Sequence, residues 1–274
     1  MLSLLAEAAN QPIYWSDLGL TPGIDLGIFT LRWYSLAYIV GILFAYWHLT
    51  RMIKVPGAPM NQTHVDDLLF YGTLGVILGG RLGYAIFYKP DLFLDFSHPG
   101  WMPWGLLRLW DGGMSFHGGV IGVLIALLWV SIRNNLNWLR VADYIAVTYP
   151  VGHFLGRLAN FVNGELYGRP TDVSWAMVFP SDPDQLARHP SQLYQAGLEG
   201  LLPAIVLAWL FWKTKARWRP GLLVGTFTVM MAGARFINEF FRQPDVQLTE
   251  FAASTGLSMG QWLSIPMILA GIAV

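Results

Sequence analysis

Residues 156–168 read G-R-L-A-N-F-V-N-G-E-L-Y-G and follow directly on a strongly apolar run. They place Arg157, Asn160, Asn163 and Glu165 where ionisable groups are costly and usually face a protein interior. A guanidinium presents a planar, permanently charged fork that matches phosphate oxygens. Arg157 and Arg235 therefore point to phosphate recognition, with Asn160 and Asn163 as neutral donors. His117, inside D-G-G-M-S-F-H-G-G (111–119), is a group able to take a proton near neutral pH. Glu165 and Glu239 are placed to pair with the arginines or orient them. At helical spacing Arg235, Glu239 and Arg242 share one face. The chain has no cysteine, so it has no disulfide and no thiol nucleophile; thiol chemistry here requires the substrate's sulfur.

Composition says what kind of scaffold positions these groups. Of 274 residues 54% are hydrophobic and 12% charged, with a mean hydropathy of +0.45. Soluble domains carry about 25% charged residues. The deficit runs the whole length and predicts an all-α, polytopic integral membrane protein. Thirteen Trp and eleven Tyr suit interfacial aromatic belts. A net charge of zero argues against a nucleic-acid binder. The N-terminal M-L-S-L-L-A-E-A-A-N lacks a basic segment and a full apolar segment, so no cleaved signal peptide is expected.

About twenty apolar residues span a bilayer as a helix. Seven such stretches lie near 29–49, 65–87, 116–133, 141–158, 191–212, 221–241 and 258–274. The last is expected to break at Pro266. It barely spans before Val274, so the native chain is expected to continue. The whole length, 1–274, reads as a single transmembrane catalytic domain. Residues 159–190, polar and rich in Pro, Asp and Gly, form an extracytoplasmic head or loop segment within it, and connections of that length are usually functional.

Arg51, Lys54, Arg133, Arg140, Lys213, Lys215, Arg217 and Arg219 fall in alternate loops, and Asp17, Asp25, Asp91, Asp95, Asp111, Asp172, Asp182, Asp184, Asp245 and Glu250 on the other side. The positive-inside rule puts the basic loops in the cytoplasm, the N-terminus outside and the C-terminus inside. At about 1.5 Å rise per residue, Arg81 and Arg157 lie roughly 24 Å from the cytoplasmic ends of their stretches, and Arg235 roughly 21 Å. Tyr34 and His117 lie near the outer starts of theirs. Residues distant in sequence thus reach one level, near the outer leaflet.

Structural readings stand beside the functional ones. Arg157 is also read as snorkelling to the interface. Arg81, in G-G-R-L-G-Y (79–84), is read either as a site residue or as part of a helix-packing motif with one structural ion pair. Tyr34 doubles as a belt aromatic, and a lone His117 as a group satisfying a backbone partner. Glu199, near mid-membrane, reads first as a buried structural partner for an arginine and only second as a site residue, His153 as packing within its helix, and His189 as a cap or a site-lining group. Among function classes, a transporter or channel for an anionic solute competes. It predicts internal duplication and midplane charges, whereas the charges here lie toward one face and no clear duplication is seen. An assembly factor, the third class, predicts tolerance to substitution at Arg157 and Asn160.

The 156–168 stretch resembles the signature of the bacterial prolipoprotein diacylglyceryl transferase family. R-W-Y-S-L-A-Y (32–38), G-G-R-L-G-Y (79–84), D-G-G-M-S-F-H-G-G (111–119), H-P-S-Q-L-Y (189–194), E-F-F-R-Q-P-D (239–245) and S-M-G-Q-W-L-S-I-P (258–266) resemble it too, in the family's order and over nearly the whole chain. The resemblance implies transfer of the diacylglyceryl group of phosphatidylglycerol to the lipobox cysteine of a prolipoprotein signal peptide. A thioether forms and glycerol phosphate is released. It implies a multi-pass protein of the bacterial inner (cytoplasmic) membrane, working as a monomer among membrane lipids, with no metal and no cofactor. It also implies that Tyr34, His117, Arg157, Asn160, Glu165, Gly168, Arg235 and Glu239 are functional. On their chemistry, Arg157 and Arg235 are expected to hold the phosphate, and His117 to take the thiol proton directly or through another group. Arg81 joins the substrate-binding set on its depth. One departure stands out, because Met231 occupies a position where the family pattern has Tyr.

Overall fold

The computed structural model describes residues 12–27, 30–98, 100–243 and 254–274. The leader assignment at 1–10, the start of the first stretch at 29, Asp245, Glu250 and the end of the 239–245 motif lie outside those residues. The described residues are mostly helical: α1 (Trp33–Met52), α2 (Gln62–Phe87), α3 (Phe116–Arg133), α4 (Trp138–Val162), α5 (Ser191–Lys213), α6 (Leu222–Asn238) and α7 (Met259–Ala273). Each coincides with one of the seven apolar stretches. By length and composition α2, α3 and α5 are able to cross a membrane, and α6 and α7 are shorter apolar helices. Large apolar side chains point outward along them, such as Ile86, Ile125, Ile205 and Leu269. That is the outer surface of a membrane protein, where lipid takes the place of a soluble protein's polar coat.

Packing divides the chain into two units, Met1–His48 with Asp143–Val274, and Leu49–Ala142. The smaller unit is built on α2 and α3. Asn61 caps α2 and Ser115 caps α3 through their side-chain oxygens. The two helices meet glycine to glycine: a Cβ added at Gly83 would lie 2.8 Å from the Gly118 Cα, and one added at Gly79 3.1 Å from the Gly122 Cα. Such small-residue seams let helix backbones touch where no hydrophobic force drives association. The glycines beside His117 therefore serve helix contact.

In the larger unit the N-terminus of α6 is capped by a residue far away in sequence. Buried Asp143, on α4, accepts from the backbone N–H groups of Gly221 (2.9 Å), Leu223 (2.9 Å) and Val224 (2.8 Å). This satisfies donors that a helix start leaves open and sets a carboxylate against the positive end of the helix dipole. The expected break at Pro266 does not occur. Helix α7 runs through it, capped by Ser258 and Gln261, and Pro150 sits likewise inside α4. Bundled membrane helices tolerate proline because neighbours re-satisfy the freed carbonyls.

Two further expectations need correction. The segment at 159–190 begins later than its polarity indicated, because α4 continues to Val162. Nor is the chain wholly helical. Strands β1 (Ile13–Tyr14), β4 (Met177–Val178) and β5 (Ala187–Arg188) form a small sheet, and β2 (Gly23–Asp25) pairs with β3 (Thr30–Arg32). These strands are too short to show alternation in sequence. They enclose a small core of Trp15, Met177 and Phe179, with Leu20, Phe161 and Tyr167 packed against it. The Trp15 indole donates to the Phe161 carbonyl at 2.8 Å, tying the N-terminal segment to the end of α4.

A buried ion pair fastens this head. Asp182 and Arg188 meet in a two-pronged contact of 2.5 and 2.9 Å, and the guanidinium lies 5.0 Å over the Tyr167 ring. Burial alone raises the Asp182 carboxyl. The Arg188 fork and the amides of Leu186 and Asp184 outweigh that and hold it below the usual carboxylate range. The sign follows from linkage. The stabilisation is complete above the unfolded-state value, about 3.9, and is lost as pH falls through the lower folded value. Asp182→Asn at neutral pH leaves the buried Arg188 charge with only the exposed Asp184 carboxylate, at 3.3 Å, and should cost about 3 kcal/mol, the low end for breaking a buried pair. Amide exchange of residues 165–190 should accelerate in the variant at pH 7, while the wild-type head stays protected down to pH near 4.

Candidate functional site

Seven of the sequence-derived site residues lie in the larger unit. At its centre is a polar chain from the end of α4. Arg157 Nη1 donates to Asn160 Oδ1 at 3.4 Å. The amides of Asn160 and Asn163 both donate to Glu165 Oε1, at 2.9 and 3.1 Å. Gln192 Nε2 holds the Glu165 carbonyl at 2.6 Å. Glu165 thus orients two amides and, among the described residues, forms no ion pair with an arginine. The turn that brings it back under α4 needs left-handed backbone at Gly164 (φ 65°) and Leu166 (φ 58°).

The second part of the site is the end of α6. Arg235 Nη2 contacts Glu239 Oε1 at 2.7 Å, and Arg242 Nη1 reaches the same oxygen at 3.4 Å. The other carboxylate oxygen accepts from Ser258 Oγ at 2.9 Å. Buried Glu239 thus gathers two guanidinium groups beside the start of α7, and Ser258 is a site contact that was not among the expected site residues, although it opens the 258–266 motif.

These parts are brought together by the head. Gly168 sits where β-bridge pairing joins it to Arg242, its N–H donating to the His189 carbonyl at 2.8 Å. A Cβ there would meet the Phe241 carbonyl and lie 2.8 Å from the His189 Cβ. Gly168 is therefore a matter of space, and His189 both lines and braces this junction. Arg169 Nε donates to the Arg242 carbonyl at 2.9 Å. Tyr34, at the start of α1, has Glu165 and Arg157 as electrostatic neighbours, and its hydroxyl lies 3.2 Å from that of Tyr38. Arg157 in turn has Glu199, Arg235 and Arg242 as charged neighbours, with Tyr149 also close by. Among the described residues Arg157 makes no ion pair, although it is largely buried. A largely buried cation with a carboxylate nearby but none in contact, and with other guanidinium groups beside it, is a feature an anionic ligand completes.

Glu199 departs from expectation. It is buried, but its partners are His153 Nε2 at 3.0 Å and Asn238 Nδ2 at 2.8 Å rather than an arginine. Met231 lies on α6 one turn before Arg235. One turn earlier on that face, the Phe227 ring stands edge-on to Tyr149 at 5.4 Å, and the Tyr149 hydroxyl is 3.4 Å from His153 Nδ1.

The smaller unit holds the other two residues. His117 is exposed at the first turn of α3, edge-on to Phe116 at 5.7 Å. Arg81 is buried, and all five of its N–H donors go to backbone carbonyls. Nε reaches Leu106 at 2.9 Å, Nη2 reaches Gly105 at 2.6 Å and Arg108 at 3.0 Å, and Nη1 reaches Gly113 at 3.1 Å and also Gly112. No donor remains for a phosphate, which speaks against the substrate-binding expectation for Arg81. The residue fixes the turn that leads into Ser115 and His117.

Residues 23–274 match the prolipoprotein diacylglyceryl transferase family. A phosphatidylglycerol–prolipoprotein diacylglyceryl transferase of Erythrobacter litoralis is 70% identical over 98% of this chain and 93% of its own length. Proteins of the same name from Zymomonas mobilis and Bradyrhizobium diazoefficiens are 49% and 47% identical, over 97% and 91% of this chain and 93% and 88% of their own lengths. The chain belongs to the prolipoprotein diacylglyceryl transferase family.

Proposed function

We propose that the chain transfers the diacylglyceryl group of phosphatidylglycerol to the lipobox cysteine thiol of prolipoproteins. The observation that carries this reading is Arg157, largely buried, without an ion-pair contact among the described residues, and with Arg235 and Arg242 as well as Glu199 as charged neighbours. Such a cluster suits one phosphodiester.

Arg157 and Arg235 hold the phosphate. Asn160, oriented by Glu165, donates to the headgroup, and Glu239 keeps Arg235 and Arg242 side by side. His117 takes the thiol proton. The thiolate sulfur bonds to the glycerol carbon that carries the phosphate, the carbon–oxygen bond breaks, and the oxygen keeps the electron pair. Glycerol phosphate then leaves. The guanidinium groups stabilise the charge that develops on that oxygen, where pre-placed donors act most strongly. Tyr34 sits against Arg157 and Glu165 as a further polar contact for the lipid, and Gly168 keeps the head packed on α6. Arg81 acts by positioning.

The whole chain is one catalytic domain of seven transmembrane helices with an extracytoplasmic head. It sits in the bacterial inner membrane as a monomer, N-terminus outside and C-terminus in the cytoplasm. The basic loops support this orientation, and it places the site at the outer leaflet, where a lipobox emerges. The test is transfer in liposomes of phosphatidylglycerol with a lipobox peptide. The expected result is a peptide heavier by one diacylglyceryl group, equimolar glycerol phosphate, and no product from a Cys-to-Ser peptide. Absence of product from folded, lipid-binding protein would overturn the reading.

A further inference from the structure

We propose that Glu199 is a positioning residue for the phosphate grip, setting the spacing of the two helices that carry Arg157 and Arg235. The inference rests on the transferase reading above.

Glu199 is 2% exposed, in a stretch where any uncompensated charge is costly. Its two oxygens face different helices. Oε2 meets His153 Nε2 on α4 at 3.0 Å, and Oε1 accepts from Asn238 Nδ2 on α6 at 2.8 Å. Residues four apart on a helix lie on one face, one turn from each other. His153 stands in that relation to Arg157. Asn238 follows Arg235 by three residues and immediately precedes Glu239. Each foot of the bridge therefore lies within one turn of a phosphate-holding cation.

Two more features fit a functional brace. Glu199 lies within a π turn, Ala196–Leu201, in the middle of α5. Such turns are weaker than regular helix and are frequent at functional sites. Glu199 also stands first among the charges that Arg157 feels. The bridge thus acts through geometry and through charge, and neither route requires Glu199 to touch the lipid. The titratable groups that face it are His153, with Tyr149 behind it, and Arg157, all on α4.

The test uses full-length protein in liposomes, with the Michaelis constant for phosphatidylglycerol and direct binding of that lipid measured separately. Glu199→Ala should raise the Michaelis constant and weaken lipid binding roughly tenfold or more, the scale of loss that small misplacements cause. Glu199→Gln keeps an oxygen for Asn238 and should recover most of that loss. His153→Leu should resemble Glu199→Ala, and the double variant should be no worse than either alone, because both cut one bridge. A merely structural role would lower the yield of folded protein and leave the Michaelis constant and the rescue pattern unmoved. Folded Glu199→Ala with wild-type lipid binding overturns the proposal. If that variant fails to fold, wild-type binding in both Glu199→Gln and His153→Leu overturns it instead. Wild-type protein that binds the lipid without transferring it would sink the transferase reading alone, since the binding comparison still decides the bridge.

Discussion

Arg157→Ala is expected to lower kcat/KM for transfer by about 10²–10³-fold, the usual cost of removing one pre-placed donor from a developing oxyanion. The protein should stay folded. Among the described residues the Arg157 side chain has one hydrogen bond, a long one of 3.4 Å to Asn160, and no ion pair. Removing it breaks no carboxylate contact, since Glu199 keeps His153 and Asn238, and it relieves the burial of a charge. Arg157→Lys keeps the charge but loses the planar fork, so it should recover only part of the rate. Arg81→Ala is the instructive contrast. It leaves the carbonyls of Gly105, Leu106, Arg108, Gly112 and Gly113 without their shared donor, and each buried, unpaired group costs about 1–3 kcal/mol. That variant should fail as protein before it fails as catalyst. Thermal unfolding in detergent beside the transfer assay separates the two. A folded Arg157→Ala protein with undiminished transfer would remove Arg157 from the phosphate grip.

The same pair shows what sequence reveals and what it conceals. Both arginines stand among glycines, at a similar distance into their own helices, and that spacing is legible. What distinguishes them is the company each keeps, carbonyls of the 105–113 turn for one and a group of charged side chains, Glu199, Arg235 and Arg242, for the other. Carbonyl positions depend on how a turn closes, and no side-chain pattern records them. The seven helices were legible because a run of apolar residues is a local property that lipid enforces along the whole length. The head strands were not, since two- and three-residue strands carry no periodicity and pair through backbone. Pro266 misled for a related reason: the rule that proline ends a helix assumes water competes for the freed carbonyl. Glu199 was legible as buried, but its partners come from two other helices. Gly168 was legible as part of a motif, while its reason, a missing Cβ against Phe241 and His189, is purely three-dimensional.

His117→Gln is expected to lower transfer at pH 7 by about 10²–10⁴-fold, the range in which a positioned acid–base group contributes. Glutamine matches imidazole in hydrogen-bonding reach but takes no proton, so lipid and peptide should still bind. The diagnostic is the pH dependence of what remains. Without an acceptor the reaction must draw on thiol that has ionised by itself, with a pKa of about 8.5. The thiolate fraction grows about tenfold per pH unit below that value, so the variant's rate should climb steeply from pH 6 and level off near 8.5. The wild-type rate should climb less, because His117 collects the proton during attack. His117 also lies in the first turn of α3, where the helix dipole favours a nearby negative charge. That contribution survives the substitution, so the variant should retain activity above that of peptide and lipid without protein. Parallel pH profiles for both proteins would show that proton removal occurs elsewhere, and His117 would then be a contact of the turn that Arg81 holds.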